Sequence, residues 1–416
     1  MKFYIHTLGC KVNMYESGVV RDILLNENYE ESNEEDADVI IINTCSVTNT
    51  ADHKSKKTIQ SAKGKNPNAI IVAMGCFTQV SNDVLKDLDI DVIIGNKDKT
   101  KILEYIKEAK EKNKVIHVEE LSNTSFETMK LNNFNKTRAF VKIEDGCNNY
   151  CTYCIIPYTR GNVRSKRRQD VLDEVENLVK QGHKEVVLTG IHTGHYFDEN
   201  YNFYHLLKDL IKIEGLERLR ISSIEMNEIT DEIIDLFKEN TILVDHLHIP
   251  LQSGSNEILK KMNRKYNKQE FIEKIEKIRK VRPLISITTD VIVGFPGETD
   301  ELFEETVETI KKIGFSKIHV FPFSRRKGTP ADLMKNQIDG KIKKERVHRL
   351  LDLSKELEIN YMEKFIGKEM TYLKEVQKDG YYIGHTGNYL QVKTKEEEKV
   401  VLEKIEYPYI IGGKVK

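Results

Sequence analysis

The sequence predicts an α/β protein in three parts. An N-terminal open parallel sheet with helices on its faces comes first, then a central partial barrel of six strand–helix units, then a small C-terminal β-barrel. Three observations carry this reading. Apolar strand patterns alternate with amphipathic helical ones at the start of the chain, the grammar of a parallel sheet. The alternation resumes after a polar stretch and repeats through six further strands. The end of the chain then changes to short strands parted by Gly, Asn and Asp. The expected units are residues 1–114, 133–363 and 364–416.

In the first unit, Lys2 to Leu8 is a short strand ending at Gly9-Cys10, and Asn13 is placed to cap an amphipathic stretch to about Leu25. Val39 to Asn43 is an apolar strand ending at Thr44-Cys45, followed by a polar helix through Ala62. Ala69 to Met74 ends at Gly75-Cys76, and Asp91 to Ile94 precedes a charged helix, Lys97 to Lys112. Cys10, Cys45 and Cys76 thus each fall just past the carboxyl end of a strand, the edge where open parallel sheets bind ligands. Spacing alone would call them unrelated. The fold puts them on one rim, which reads as three thiolates facing a cluster with one open iron. The plainer alternative is three inert buried cysteines; the same placement three times weighs against it.

Val115 to Thr137, rich in Asn, Ser, Thr and Glu, reads as a draped linker. Barrel strands are expected at Ala139 to Ile143, Glu185 to Thr189, Arg218 to Ser222, His246 to Pro250, Ser286 to Val293 and Lys317 to Phe321, with helices such as Val171 to Lys180 and Leu302 to Ile313 between. Six units instead of eight leave one side open, which suits a macromolecular substrate.

The first barrel strand runs into Cys147, Cys151 and Cys154, a C-x-x-x-C-x-x-C loop. Cluster irons are usually held by four cysteines, so a loop offering three leaves an iron free for a ligand that is not protein. A structural zinc site wants four closed Cys/His ligands, and no second pair follows. Adjacent cysteines without an export signal read as metal-binding or catalytic rather than as a disulfide. The other strand ends lead into small polar loops holding Gly190-Ile191-His192, Glu225, Gln252 and Gly294, a pocket pattern. Glu225 could equally serve as a helix-cap partner and His192 as a satisfied loop histidine.

A long charged amphipathic helix is expected from Gln337 to about Glu363. Short strands follow at Met370 to Val376, Gly380 to Thr386, Tyr389 to Thr394 and Lys399 to Ile405, with lysines between Tyr372, Tyr381, Tyr382 and Tyr389. Such a surface could hold RNA by phosphate contact and stacking, or its tyrosines could simply be core.

Lys+Arg 65 against Asp+Glu 66 gives a net charge of −1, so no global field draws the protein to nucleic acid or membrane. RNA contact must come from local runs. Two stand at the barrel rim, Arg160, Arg164, Lys166, Arg167 and Arg168 after the cysteine loop, and Arg325, Arg326 and Lys327 after the sixth strand. The start of the chain lacks the apolar region of a signal peptide, and no apolar run approaches the roughly 18 residues of a membrane helix. A cytoplasmic protein with no membrane partner is expected.

With these residues laid out, the chain resembles the radical S-adenosylmethionine (SAM) methylthiotransferase family. The C-x-x-x-C-x-x-C loop, the three N-terminal cysteines and the order of the units carry the resemblance. Around the first two cysteines, Thr7-Leu8-Gly9-Cys10-Lys11-Val12-Asn13 and Asn43-Thr44-Cys45-Ser46-Val47-Thr48-Asn49 resemble the MtaB branch. The resemblance implies a radical SAM core and a C-terminal TRAM-like RNA-binding domain. It implies two [4Fe-4S] clusters, on Cys147, Cys151 and Cys154 for SAM cleavage and on Cys10, Cys45 and Cys76 for the sulfur donor. It implies SAM as radical source and methyl donor, with Tyr153 beside the adenine and Gly190, Glu225, Gln252 and Gly294 in contact with SAM. The implied substrate is N6-threonylcarbamoyladenosine (t6A) in a tRNA anticodon loop, methylthiolated at carbon 2, and the implied electron donor is a flavodoxin or ferredoxin. Isopentenyladenosine tRNA or a ribosomal-protein aspartate are alternative substrates of the same chemistry. A non-enzymatic RNA-binding protein with structural clusters is the alternative from another class.

Overall fold

The structure, a computed structural model, describes residues 1–85, 87–112, 114–121, 124–132, 134 and 137–415, without the side chains of residues 82 and 83. The expected boundary at residue 133 and parts of the expected linker lie outside the described residues.

Six parallel strands form the N-terminal sheet, in the spatial order Glu30–Glu31, Lys2–Thr7, Val39–Thr44, Ile70–Gly75, Val92–Ile94 and Val115–His117. The central strands are buried on both faces, which is why Val39–Thr44 reads as a nearly continuous apolar run. Val20 and Leu24 of the helix Lys11–Asn26 pack on one face with Ile102 and Ile106, and Ile59 and Ala62 of the helix Asn49–Lys65 pack on the other. The strand order reverses between Lys2–Thr7 and Val39–Thr44, so Cys10 and Cys45 flank a topological switch point, where such sheets bind ligands.

Two expectations change here. The helix starts at Lys11 with Cys10 as its capping residue, and Asn13, already in the first turn, is buried instead of capping. The stretch after residue 114 is not simply draped: Val115–His117 extends the sheet, and Met129, Leu131 and Phe134 are buried against Tyr15 and Val19.

The barrel strands Arg138–Lys142, Glu185–Thr189 and Arg218–Ile221 form one parallel sheet, and His246–His248, Ser286–Val293 and Lys317–Pro322 form another. A parallel bridge from Leu219 to Leu243 joins the two halves. The helix Lys11–Asn26 belongs to both domains: Val20 and Leu24 serve the sheet, while Tyr15 and Val19 join the barrel core beside Val141, Val171 and Leu188. Fully burying one such side chain contributes about 1.5–3 kcal/mol, so this helix fastens the two domains.

The helix Gly340–Glu363, capped by Asp339, docks on the sixth barrel strand through Ser354, whose hydroxyl accepts from Ile318 N at 3.0 Å. The C-terminal strands close into a barrel in the order Glu369–Lys378, Tyr381–Thr386, Gln391–Thr394, Tyr409–Gly413, Lys399–Glu406. The long helix supplies Tyr361 and Met362 to the core of that barrel, support that so small a unit needs. Tyr372 is core, its hydroxyl bonded to Glu396 O at 2.5 Å. No helix among the described residues is long and apolar enough to cross a membrane.

Candidate active site

At the N-terminal rim, three loops leave three neighbouring strands and bring Cys10, Cys45 and Cys76 within electrostatic reach of one another. Gly9 makes this possible: its φ is +92°, and a Cβ there would stand 2.7 Å from the Cys45 sulfur. Asn13 ties two of the loops, donating to Leu8 O at 2.7 Å and Thr44 O at 2.9 Å. Ser55 brackets Cys45, accepting from its N at 3.1 Å and donating to its O at 2.9 Å. Asn96 donates to the Cys76 sulfur at 3.5 Å and to Thr159 O, at the barrel rim, at 2.7 Å.

The second rim is one loop. Gly146 turns it with φ +86° at a point where a Cβ would lie 2.0 Å from Asn162 O. Cys147 N then bonds Gly161 O at 3.0 Å and Cys154 N bonds Cys151 O at 2.9 Å. Arg264 donates to the Cys151 sulfur at 3.4 Å and pairs with Glu225. Beside Cys151 opens a cavity of about 280 Å³ whose lining includes Asn149, His192, Glu225, Asn263 and Arg264. Among the proposed SAM contacts, Glu225 lines this cavity and also caps the turn Met226–Glu228. Tyr153 packs instead against the apolar group of Ile258, Met262 and Phe295. Gly190 adjoins Glu144, whose carboxylate accepts from Ile191 N at 2.9 Å and His192 N at 2.7 Å. Gln252 is buried, its backbone bonded to Asp290 O at 2.8 Å, and Gly294 N donates to Glu298 at 2.8 Å. His192 and His195 stack at 3.9 Å and both face Glu228, a trio whose ligand atoms lie within 4.8 Å and could hold a cation.

Four of the thiols share one electrostatic problem. Burial pushes Cys147 and Cys154 up to about 12 and Cys45 to about 11, and it raises Cys10 as well. Neighbouring thiols oppose each other's ionisation. Desolvated thiols of this kind become thiolates when a cationic centre binds, and binding releases their protons. Among the described residues all six cysteines are free.

The basic runs need correction. Arg160 is fully buried, bonded to Asn13 at 2.8 Å, Glu16 at 2.9 Å and Asp145 at 3.0 Å, so it cannot meet RNA. Lys166 is buried on Glu174 and Met129 O, and Arg326 is buried on Asp52 and Ser46. Arg164 is nearly buried against Asp145 at 3.2 Å. Arg167, Arg325 and Lys327 are exposed, although Arg325 pairs with Asp332, and Arg168 is half-buried on Asp209. Lys99 and Lys142 complete the buried network. Burial opposes ionisation of Glu16, but Arg160, Lys142 and Lys99 around it hold its carboxyl well below the usual range. The network therefore locks the first domain onto the barrel rim. Beside these few exposed cations, several large apolar side chains are also exposed: Val47, Tyr150, Tyr158 and Phe321.

Residues 141–310 match the Radical SAM superfamily, and residues 2–95 match the uncharacterized protein family UPF0004. The chain is 42% identical to the threonylcarbamoyladenosine tRNA methylthiotransferase MtaB of Bacillus subtilis, over 98% of this chain and 95% of that one. It is 40% identical to the protein of the same name from Thermotoga maritima, over 95% of each. It is 37% identical to a tRNA-2-methylthio-N(6)-dimethylallyladenosine synthase of Clostridium botulinum, over 88% of this chain and 84% of that one. In fold it is similar to the radical S-adenosylmethionine methyltransferase TsrM of Kitasatospora setae, with TM-score 0.60 and 14% identity over 79% of this chain and 76% of that one. Two rims of three cysteines on these two matched regions, and near-full-length identity at this level, lead to one conclusion: the chain belongs to the family of radical SAM tRNA methylthiotransferases.

Proposed function

We propose that the protein methylthiolates carbon 2 of N6-threonylcarbamoyladenosine beside the anticodon of tRNA. The observation that carries this reading is the near-full-length identity to proteins named for that activity, which exceeds the identity to the named dimethylallyladenosine enzymes. The two rims supply the parts such chemistry needs. Each offers three free thiols, of which Cys45 and Cys76 on one rim and Cys151 on the other are buried, and, among the described residues, no fourth cysteine, a donor set that fits an iron–sulfur cluster with one open iron. We assign one [4Fe-4S] cluster to Cys147, Cys151 and Cys154 and the other to Cys10, Cys45 and Cys76.

When bound, these clusters and SAM supply the one-electron reduction, the sulfur and the methyl group that an unactivated aromatic C–H requires. The chain's own residues bind, orient and exclude water. Arg264 sets a guanidinium between Cys151 and Glu225, so the wall of the small cavity carries both a cation and a carboxylate, as an amino-acid-bearing ligand such as SAM needs. Glu225 and Asn263 are the contacts we favour there. Tyr153, with Phe295 and Phe323 behind it, keeps water from the neighbouring side of the loop. The buried Glu16–Arg160–Asp145 network fixes the distance between rims, so a base held at one faces the other. Tyr150, Tyr158 and Phe321 offer stacking surfaces for loop nucleotides, with Arg167, Arg325 and Lys327 for phosphates. The C-terminal barrel fits a TRAM-like RNA contact, and a cytoplasmic flavodoxin or ferredoxin fits the reductant's role.

The test is mass spectrometry of nucleosides from bulk tRNA of a strain lacking this gene, before and after its restoration. Loss and return of 2-methylthio-N6-threonylcarbamoyladenosine is the expected result. Loss of the isopentenyladenosine derivative in its place would move the substrate to the other branch.

A further inference from the structure

The barrel lumen is a separate cavity of about 320 Å³, which none of the proposed cluster or SAM ligands lines. Its walls are charged in one sense. Lys11, Arg138, Arg220 and Lys317 line it against the one carboxylate of Glu358, with Phe140 and Val187 as apolar patches. Most of these cations have partners: Arg138 pairs with Glu375 at 3.0 Å and Lys317 with Glu358 at 2.9 Å. Three groups are left wanting. Arg220 is 2% exposed, bonded to Glu185 at 2.6 Å and to Gly387 O at 3.1 Å, yet among the described residues its Nη1 has no partner; nor does Nδ1 of buried His246 on the next strand. Lys11 makes no ion pair with any carboxylate among the described residues. Buried donors are almost always satisfied, and exceptions mark a missing water, ion or ligand.

The lumen also lies in the right place. Lys11 directly follows Cys10, and the helix it begins packs against the first barrel strand. Ser222 and His248, at the carboxyl ends of the third and fourth strands, line its upper part. The cavity is at the small end for a whole ligand and suits an appendage of one.

We propose that this lumen receives the carboxylate of the threonylcarbamoyl arm, held by Arg220 and Lys11, and so selects this nucleoside over those with uncharged arms. The proposal rests on the substrate proposed above. The arm's methyl-bearing part would lie against Phe140 and Val187, and its carboxylate would meet the free Nη1 of Arg220. A charge-assisted bond of that kind is strong in a desolvated site. Backbone phosphates of the RNA are the other source of the same anionic chemistry, and the test separates the two.

The test uses the reconstituted holoenzyme and anticodon stem-loops that carry t6A, the same nucleoside with its carboxyl converted to an amide, or plain adenosine. Kd is read by fluorescence anisotropy and kcat/KM by product formation. In the wild type the amide should bind roughly 30-fold more weakly than the acid. Arg220→Gln should weaken the acid by roughly the same factor and the amide by less than about 3-fold, with partial recovery in Arg220→Lys. Equal losses on all three RNAs would assign Arg220 to a phosphate or to the fold, and overturn the proposal. Lys11→Met provides the same comparison should Arg220→Gln unfold. A wild type that modifies acid and amide alike keeps the function and sinks the lumen site. One that modifies neither, and modifies a fourth stem-loop carrying isopentenyladenosine instead, sinks the function.

Discussion

At the N-terminal rim three cysteines arrive from the ends of three strands of one sheet; at the barrel rim three arrive from a single loop. Both sets sit beyond the carboxyl ends of parallel strands, and burial raises a thiol in each, Cys45 in one and Cys147 in the other. The difference lies in what holds them. The first set exists only while the sheet, Asn13 and Gly9 hold the three loops together. The second is a local motif steadied by Gly146 and Arg264. One buried network, centred on Glu16 and Arg160, makes the two rims a unit.

Breaking that network should have the largest effect on stability. Arg160→Met leaves Lys142 as the one cation that Glu16 and Asp145 still share, and losing one partner of a buried pair costs about 3–5 kcal/mol. Urea denaturation should show this, with iron lost from both rims; loss from one rim alone would mean they are not coupled through Arg160. Next, replacing Cys10, Cys45 and Cys76 together by Ala should leave about half of the iron after reconstitution. Full retention would show that the N-terminal set holds none.

A pH dependence sharpens the contrast with the loaded protein. In the unfolded chain these thiols ionise near 9.0, whereas burial in the folded apoprotein holds Cys147 and Cys154 protonated to about 12 and Cys45 to about 11. The folded state keeps more protons across that window, so apoprotein stability should fall as pH rises from about 9 towards 12. Denaturation midpoints at about pH 8 and about pH 10 would test it, and iron loading should flatten the trend. The smallest effect is expected outside the rims. Arg167→Ala or Lys327→Ala should lower tRNA affinity by a few-fold and reduce the salt slope by about one. Arg326→Ala should instead destabilise the protein, because its charge is spent on Asp52.

Strands were largely legible from the sequence because burial on both faces writes itself as apolar runs such as Val39–Thr44. Pairing partners distant in sequence were not. Arg160 and Lys166 read as a solvent-facing basic run because Glu16 and Glu174, which neutralise them, stand elsewhere in the chain. Tyr409–Gly413 was missed as a strand, since its glycines read as turn; in the closed barrel it fills the place between Gln391–Thr394 and Lys399–Glu406. Arg264 gave only a weak signal, one charge in a polar turn after the helix Asn256–Lys261. The lumen was silent, because its cations come from two domains and from barrel strands far apart in sequence, which only the fold brings together.

The most direct measurement compares Cys151→Ala and Cys45→Ala in one reconstituted reaction with t6A-bearing tRNA, following 5′-deoxyadenosine and methylthio product together. The expected result is that Cys151→Ala yields neither, while Cys45→Ala still cleaves SAM yet yields no methylthio product. Normal product from Cys45→Ala would contradict a sulfur-donating role for the N-terminal rim.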